Sequence, residues 1–258
     1  MITILVQAPD GAVLASAEHP EEALLSVDRV YEPGDVIRIS GAKHLTVQMD
    51  QSIPAGEVFL PEGSMTWTVP AGEHRLAYAP GLFDQPRHII RAAAVPEETL
   101  REVRNVALNP ADLRGDTDFF PHCTANVETR NEACFCARNV IDGLRHNTFH
   151  GEWPFESWGI GAREDAWCLL DLGRPVVAER MALTLRADFP HDAYWVSGHA
   201  VLSDGTELSF DLEKTGNRQW IDLGNRTVRW LRLERMIKSD DPSAFPALRQ
   251  WEVFGREA

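Results

Sequence analysis

The stretch Arg180-Met-Ala-Leu-Thr-Leu-Arg-Ala-Asp-Phe-Pro-His-Asp-Ala-Tyr-Trp195-Val-Ser-Gly-His-Ala-Val-Leu-Ser-Asp-Gly205-Thr-Glu-Leu-Ser-Phe-Asp-Leu212 decides how the chain is read. Apolar and β-branched residues dominate 180–186, 195–202 and 207–212, and Ser203-Asp-Gly205 supplies the turn chemistry of a tight hairpin. These are three strands. Between the first two, the run from Arg186 to Trp195 carries Asp188, His191, Asp192 and Tyr194 as well. Charged hydrogen-bonding groups beside flat rings, on a loop held by strands, suit a polar ligand with an apolar face, as a sugar ring has. The same rings could instead seal the end of a β-core.

Outward from that stretch the pattern continues. Segments 167–172, 219–223, 227–235 and 248–254 also read as strands, and Val228-Arg-Trp-Leu-Arg-Leu-Glu-Arg235 mixes apolar residues with arginines as on a sheet with one wet face. Seven of the eight tryptophans lie after residue 150, where they fill a core, equip a ligand surface, or both. The first hundred residues repeat the theme at smaller scale. Strand-like segments at 2–7, 36–40, 44–49, 57–60, 65–69, 75–78 and 88–93 are separated by Glu32-Pro-Gly-Asp35, Ser52-Ile-Pro-Ala-Gly56, Pro61-Glu-Gly63 and Pro70-Ala-Gly72. Pro96 to Val103 opens like a short helix with acids in its first turn, or serves as an extended connector. The expected fold is all-β: an antiparallel sandwich over 1–108, of no identified type, followed by a second β-domain over 109–258.

Composition narrows the function. A net charge of −14 argues against nucleic acid and against anionic membrane surfaces, both of which want clustered Lys and Arg. It is compatible with a neutral ligand or a bound cation. The N-terminus Met1-Ile-Thr-Ile-Leu-Val-Gln7 alternates like a strand and has neither the basic start nor the apolar run of an export signal; if Met1 is the natural start, the protein is expected in the cytoplasm. The four cysteines, Cys123, Cys134, Cys136 and Cys168, are then expected as free thiols. With His122 and His146 they could in principle hold zinc, although the spacing matches no common zinc module.

In the second half, Ala137-Arg-Asn-Val-Ile-Asp-Gly143, Asn147-Thr148, Ser157-Trp158, Trp167-Cys-Leu-Leu-Asp-Leu-Gly173, Ser203-Asp-Gly205 and Glu252-Val-Phe-Gly255 follow one another in order. As a set they resemble the galactose-binding-like jelly rolls: discoidin or coagulation factor type C domains and family 32 carbohydrate-binding modules. The resemblance covers about residues 120–258. It implies a jelly roll, a mono- or oligosaccharide as partner, and a structural calcium ion held by Asp142, Thr148 and Glu252 with nearby carbonyls; calcium needs about six to eight oxygens. Where the family has a short run before its Trp, this chain has Leu144 to Trp158, containing His146, His150, Trp153 and Phe155.

The expected ligand site therefore groups Arg186, Asp188, His191, Asp192 and Trp195 with His150 and Trp153, and at its margin His122 and Arg130. Arginine offers a rigid fork to vicinal hydroxyls, and aspartate accepts from two at once. Asp240-Asp241-Pro-Ser-Ala-Phe245 reads as a solvated turn, with a border of the same pocket as the alternative. Catalysis stays open as a second reading: Glu152, Glu156, Asp188 and Asp192 are candidate carboxylates for glycoside hydrolysis, and Cys134 or Cys136 a candidate nucleophile. No Gly-x-Ser-x-Gly elbow, Gly-rich phosphate loop or His-Glu-x-x-His is present. Non-catalytic sugar binding is the favoured expectation, ahead of an enzyme acting on sugars and a scaffolding protein that works through its aromatic loops; self-association is left open.

Overall fold

The computed structural model describes residues 1–147, 151–186, 189 and 191–258. Its first part contains β1 (Ile2–Gln7), β2 (Val13–His19), β3 (Glu22–Asp28), β4 (Val36–Ser40), β5 (His44–Gln48), β6 (Gly56–Phe59), β7 (Ser64–Thr68) and β8 (Arg87–Ala94). These form two antiparallel sheets, ordered β2-β1-β4-β7 and β3-β8-β5-β6. Period-two alternation explains why they stack. Ile2, Ile4 and Val6 of β1 with Ile37 and Ile39 of β4 point into one core shared with Leu25, Val27, Ile90 and Ala92 from the opposite sheet.

Two sequence expectations change here. Segment 75–78, expected as a strand, belongs to a 3₁₀ turn spanning Gly72–Ala77. Pro70, a left-handed Gly72 (φ 56°) and Pro80 bracket it too closely for a strand to pair. In the other direction, β2 and β3 went unread. β2 is an edge strand whose small and charged residues leave it mostly exposed, and β3 hides its Ala23-Leu25-Val27 alternation between acids.

The second part adds α1 (Glu97–Arg101), β9 (Arg104–Asn105), β10 (His122–Ala125), β11 (Trp158–Gly159), β12 (Trp167–Leu185), β13 (Trp195–Leu202), β14 (Glu207–Asp211), β15 (Gln219–Lys238) and β16 (Ala247–Glu257). The sheet runs β11-β16-β12-β15-β13-β14, with β10 also on β12 and β9 on β16. All pairings are antiparallel, as a jelly roll requires. Segments 167–172 and 180–186 are one bent strand, as are 219–223 and 227–235. The turn-like residues bend the strands without ending them, because neighbours pair on both sides of each bend. In β12 the register slips between Asp171 and Val176 at Gly173 (φ 68°), whose Cα lies against the Phe120 ring. In β15 the bend falls at Gly224 (φ 72°) and Asn225 (φ 57°).

The two cores interlock. Ala111, Phe119, Ala133 and Cys136 pack into the first, while Val106 and Ala107 join the second. Arg138, fully buried, donates to the carbonyls of Ala77 (3.0 Å), Pro110 (2.8 Å) and Asp112 (2.8 Å), and lies 4.5 Å from the Tyr78 ring centre. Arg104 bridges Glu57 and Glu257 at 2.7 and 3.0 Å. Among the described residues no helix is long and apolar enough to cross a membrane.

Candidate functional site

The segment after β12 is zipped against the segment before β16. Arg186 N–H donates to Ala247 O (2.9 Å), Ser239 N–H to Tyr194 O (2.9 Å), and the Ser243 hydroxyl to His191 O. Beneath this seam the Arg186 guanidinium forks onto Asp192: Nε lies 3.1 and 3.0 Å from its two oxygens, and Nη2 lies 2.5 Å from Oδ1. Nη1 reaches Ser157 Oγ at 3.4 Å. Both charged side chains are buried, so each is the other's principal solvation.

Around this pair sits a hollow of about 140 Å³ lined by Arg130, Phe135, Arg186, His191 and Phe245, with Gly159 and Gly161 on its floor. The His191 side chain is 47% exposed, with Nδ1 3.2 Å from Asp192 Oδ1. Phe245 is half exposed. Arg130 lies 5.1 Å and Arg186 5.7 Å from the Phe135 ring centre. Arg130 also pairs with Glu132 through two 2.7 Å bonds. Arg130 and Asn131 both adopt left-handed backbone (φ 54° and 56°), and Arg114 donates to the Asn131 side chain at 2.6 Å and to its carbonyl at 3.0 Å. Strained non-glycine backbone of this kind is kept where its surroundings enforce it.

Trp153 lies elsewhere. A second cleft, of about 390 Å³, separates residues 75–84 from residues 151–156 and is walled by Tyr78, Phe83, Trp153 and Phe155. The edge-to-face pair of Phe135 and Phe155 (6.0 Å, 79°) stands between the two concavities. Glu156 lines this cleft and is 2% exposed. Burial pushes its carboxyl up to about 7, with Asp142 adding to the rise and Arg249 and Arg138 opposing it.

The remaining expected residues are placed as follows. Trp195 is fully buried in the core, its ring 6.3 Å from that of Trp158, so it has no face free for a ligand. His122 lies on β10 opposite Asp171, 2.6 Å from Asp112, away from the hollow. Burial opposes its protonation, but Asp112 outweighs it and raises the imidazole above its ordinary range. His150, Asp188 and Thr148 lie outside the described residues. Of the calcium set, Asp142 is 3.3 Å from Arg249 and Glu252 holds Arg218 at 2.5 and 2.7 Å. Among the described residues no three His, Cys, Asp or Glu side chains are grouped to hold a metal ion.

All four cysteines are buried thiols. Burial, then the Glu132 carboxylate, pushes Cys134 up to about 12, and burial raises Cys123 and Cys136 as well. A thiol so protonated is a poor nucleophile at neutral pH.

Phe135 and Phe245 bear on the hollow more than sequence suggested. Phe135, flanked by Cys134 and Cys136, was not singled out in sequence, and Phe245 read as part of a solvated turn with the pocket border as the alternative. Tyr78 was missed because 75–78 read as a strand, and Phe83 carried no signal of its own in sequence.

No family model matches the chain, and no curated protein does. Solved structures match part of it. They include chitosan-binding module 1 of a chitosanase/glucanase from Paenibacillus sp. IK-5, at 20% identity over 59% of this chain and 99% of that one (TM-score 0.41). The family 32 carbohydrate-binding module of C. perfringens NanJ, in complex with galactose, matches at 13% identity over 51% and 91% (0.40). The lectin domain of lectinolysin, complexed with Lewis B antigen, matches at 16% identity over 60% and 98% (0.43).

Proposed function

We propose that the chain is a carbohydrate-binding protein whose saccharide sits in the hollow of Arg130, Phe135, Arg186, His191 and Phe245. The observation that carries the reading is the convergence of three residues singled out in sequence, Arg130, Arg186 and His191, on one concavity with two phenylalanine rings. Phe245 and Phe135 offer apolar faces for ring C–H groups. Arg186, held by Asp192, still has N–H groups beyond those it spends on Asp192 and Ser157. Because the guanidinium is fixed before binding, little side-chain entropy is lost when a hydroxyl accepts from it. A concavity of about 140 Å³ is below the usual range for ligand pockets and suits one sugar ring or a chain end.

Among the described residues that line the hollow there is no carboxylate. Asp192 is committed to Arg186, and the raised carboxyl of Glu156 faces the other cleft. The test is a glycan array followed by titration calorimetry on the best saccharide. Binding in the micromolar to millimolar range is expected, weakened about 10-fold or more in His191→Ala and in Phe245→Ala. Both positions are substantially exposed, so the fold should survive the changes. Absence of saccharide binding, or binding that ignores both substitutions, would overturn the reading.

A further inference from the structure

The cleft between residues 75–84 and 151–156 shares none of the residues that line the hollow. Its wall is apolar and aromatic: Leu76, Tyr78, Leu82, Phe83, Trp153 and Phe155. Of its charged side chains, Asp84 and Arg75 hold each other at 2.5 Å. The third is Glu156, whose Oε2 is fully enclosed and has no hydrogen-bond partner among the described residues. The two arginines whose charge reaches Glu156 make no hydrogen bond to it among the described residues. Arg138 donates to three backbone carbonyls, and Arg249 donates through Nη1 to Asn139 O at 3.2 Å and to Asp142, while its Nε and Nη2 are enclosed without a partner among the described residues. A buried carboxylate oxygen without a donor is costly, and a carboxylate in the wall of a cleft gains a donor if a ligand in that cleft brings one.

The donor that best fits is cationic. An ammonium group neutralises a carboxylate in a low-dielectric wall, which a hydroxyl does not. Aromatic faces favour cations over neutral groups, and a chain of net charge −14 concentrates cations around itself. We infer that this cleft is a second ligand site that takes a small organic ammonium compound. Its N–H group pairs with the Glu156 carboxylate once that side chain turns toward the cleft, and its carbon body lies against Trp153, Phe155 and Leu82. The site exists only where the two parts of the chain meet, since Tyr78 and Phe83 come from one and Trp153 and Glu156 from the other.

The test is titration calorimetry of the full chain at pH 8 with hexylamine and cyclohexylamine, against their neutral counterparts 1-hexanol and cyclohexanol. At least one amine should bind at about 1 mM or tighter, with its alcohol at least about 10-fold weaker. Glu156→Gln, which keeps the shape of the side chain, should weaken the amine about 10-fold or more, and its melting curve checks that it folds. Equal binding of amine and alcohol, unchanged amine binding in Glu156→Gln, or no amine binding at about 10 mM would overturn the inference. Saccharide binding in the hollow uses other probes and other substitutions, so either claim can fail without the other.

Discussion

At the residue scale, two buried acids behave in opposite ways. Asp192 takes its charged partner from Arg186, so Arg186→Ala removes the guanidinium from a buried carboxylate. A loss of about 3–5 kcal/mol is expected, read from the midpoint of a urea unfolding curve. Glu156 has no ion-pair partner among the described residues, and burial pushes its carboxyl up to about 7. The folded chain therefore holds a proton that the unfolded chain releases near 4.5, and stability contributed at this position falls as pH rises from about 4.5 to 7. Glu156→Gln removes that dependence. The variant should melt at nearly the same temperature as the parent at pH 4.5 and be more stable by about 2–3 kcal/mol at pH 8. A variant less stable than the parent at pH 8 would mean that Glu156 is solvated in a way these contacts do not show. Sequence carried Arg186 and His191 because Arg, His and Asp crowd one loop, and it placed Arg130 only at the margin. It could not rank the aromatics: Trp195 is core and Phe245 lines the hollow, and only the direction of each side chain separates them.

At the element scale, the site depends on a seam between two connections rather than on strands. Backbone N–H groups of Arg186 and Ser239 and the Ser243 hydroxyl bond across the seam to Ala247, Tyr194 and His191, which keeps His191 and Phe245 on one rim. The bend in β12 has its own requirement. Gly173 combines φ 68° with contact against the Phe120 ring, so Gly173→Ala meets both left-handed strain and overpacking. A cost of about 2–4 kcal/mol is expected in denaturant unfolding. A neutral result would show that the bend relaxes freely. Most strands were legible because alternation and turn residues mark them, as in β4 and β13. The 3₁₀ turn at Gly72–Ala77 was not, because Arg75-Leu-Ala-Tyr78 is compatible with a strand until pairing partners are counted.

At the scale of the whole molecule, sequence suggested two domains in series, and the contacts join them closely. Arg138 reaches back to Ala77, Arg104 ties Glu57 to Glu257, and residues from 111–136 complete the first core. Such sharing was invisible in sequence, since residues 111–136 and Arg138 were assigned to the second domain and nothing in their pattern points to the first core. It makes unfolding cooperative across the join: differential scanning calorimetry should give one transition, with calorimetric and van 't Hoff enthalpies in agreement. Two resolved transitions would show that the halves unfold independently. The central claim remains that the loop end of the jelly roll holds a saccharide. Its most direct test is amide chemical-shift mapping during titration with the best array saccharide. Shifts concentrated at 130–135, 191–192 and 243–247 are predicted; shifts absent there, or concentrated on another face, would contradict the account.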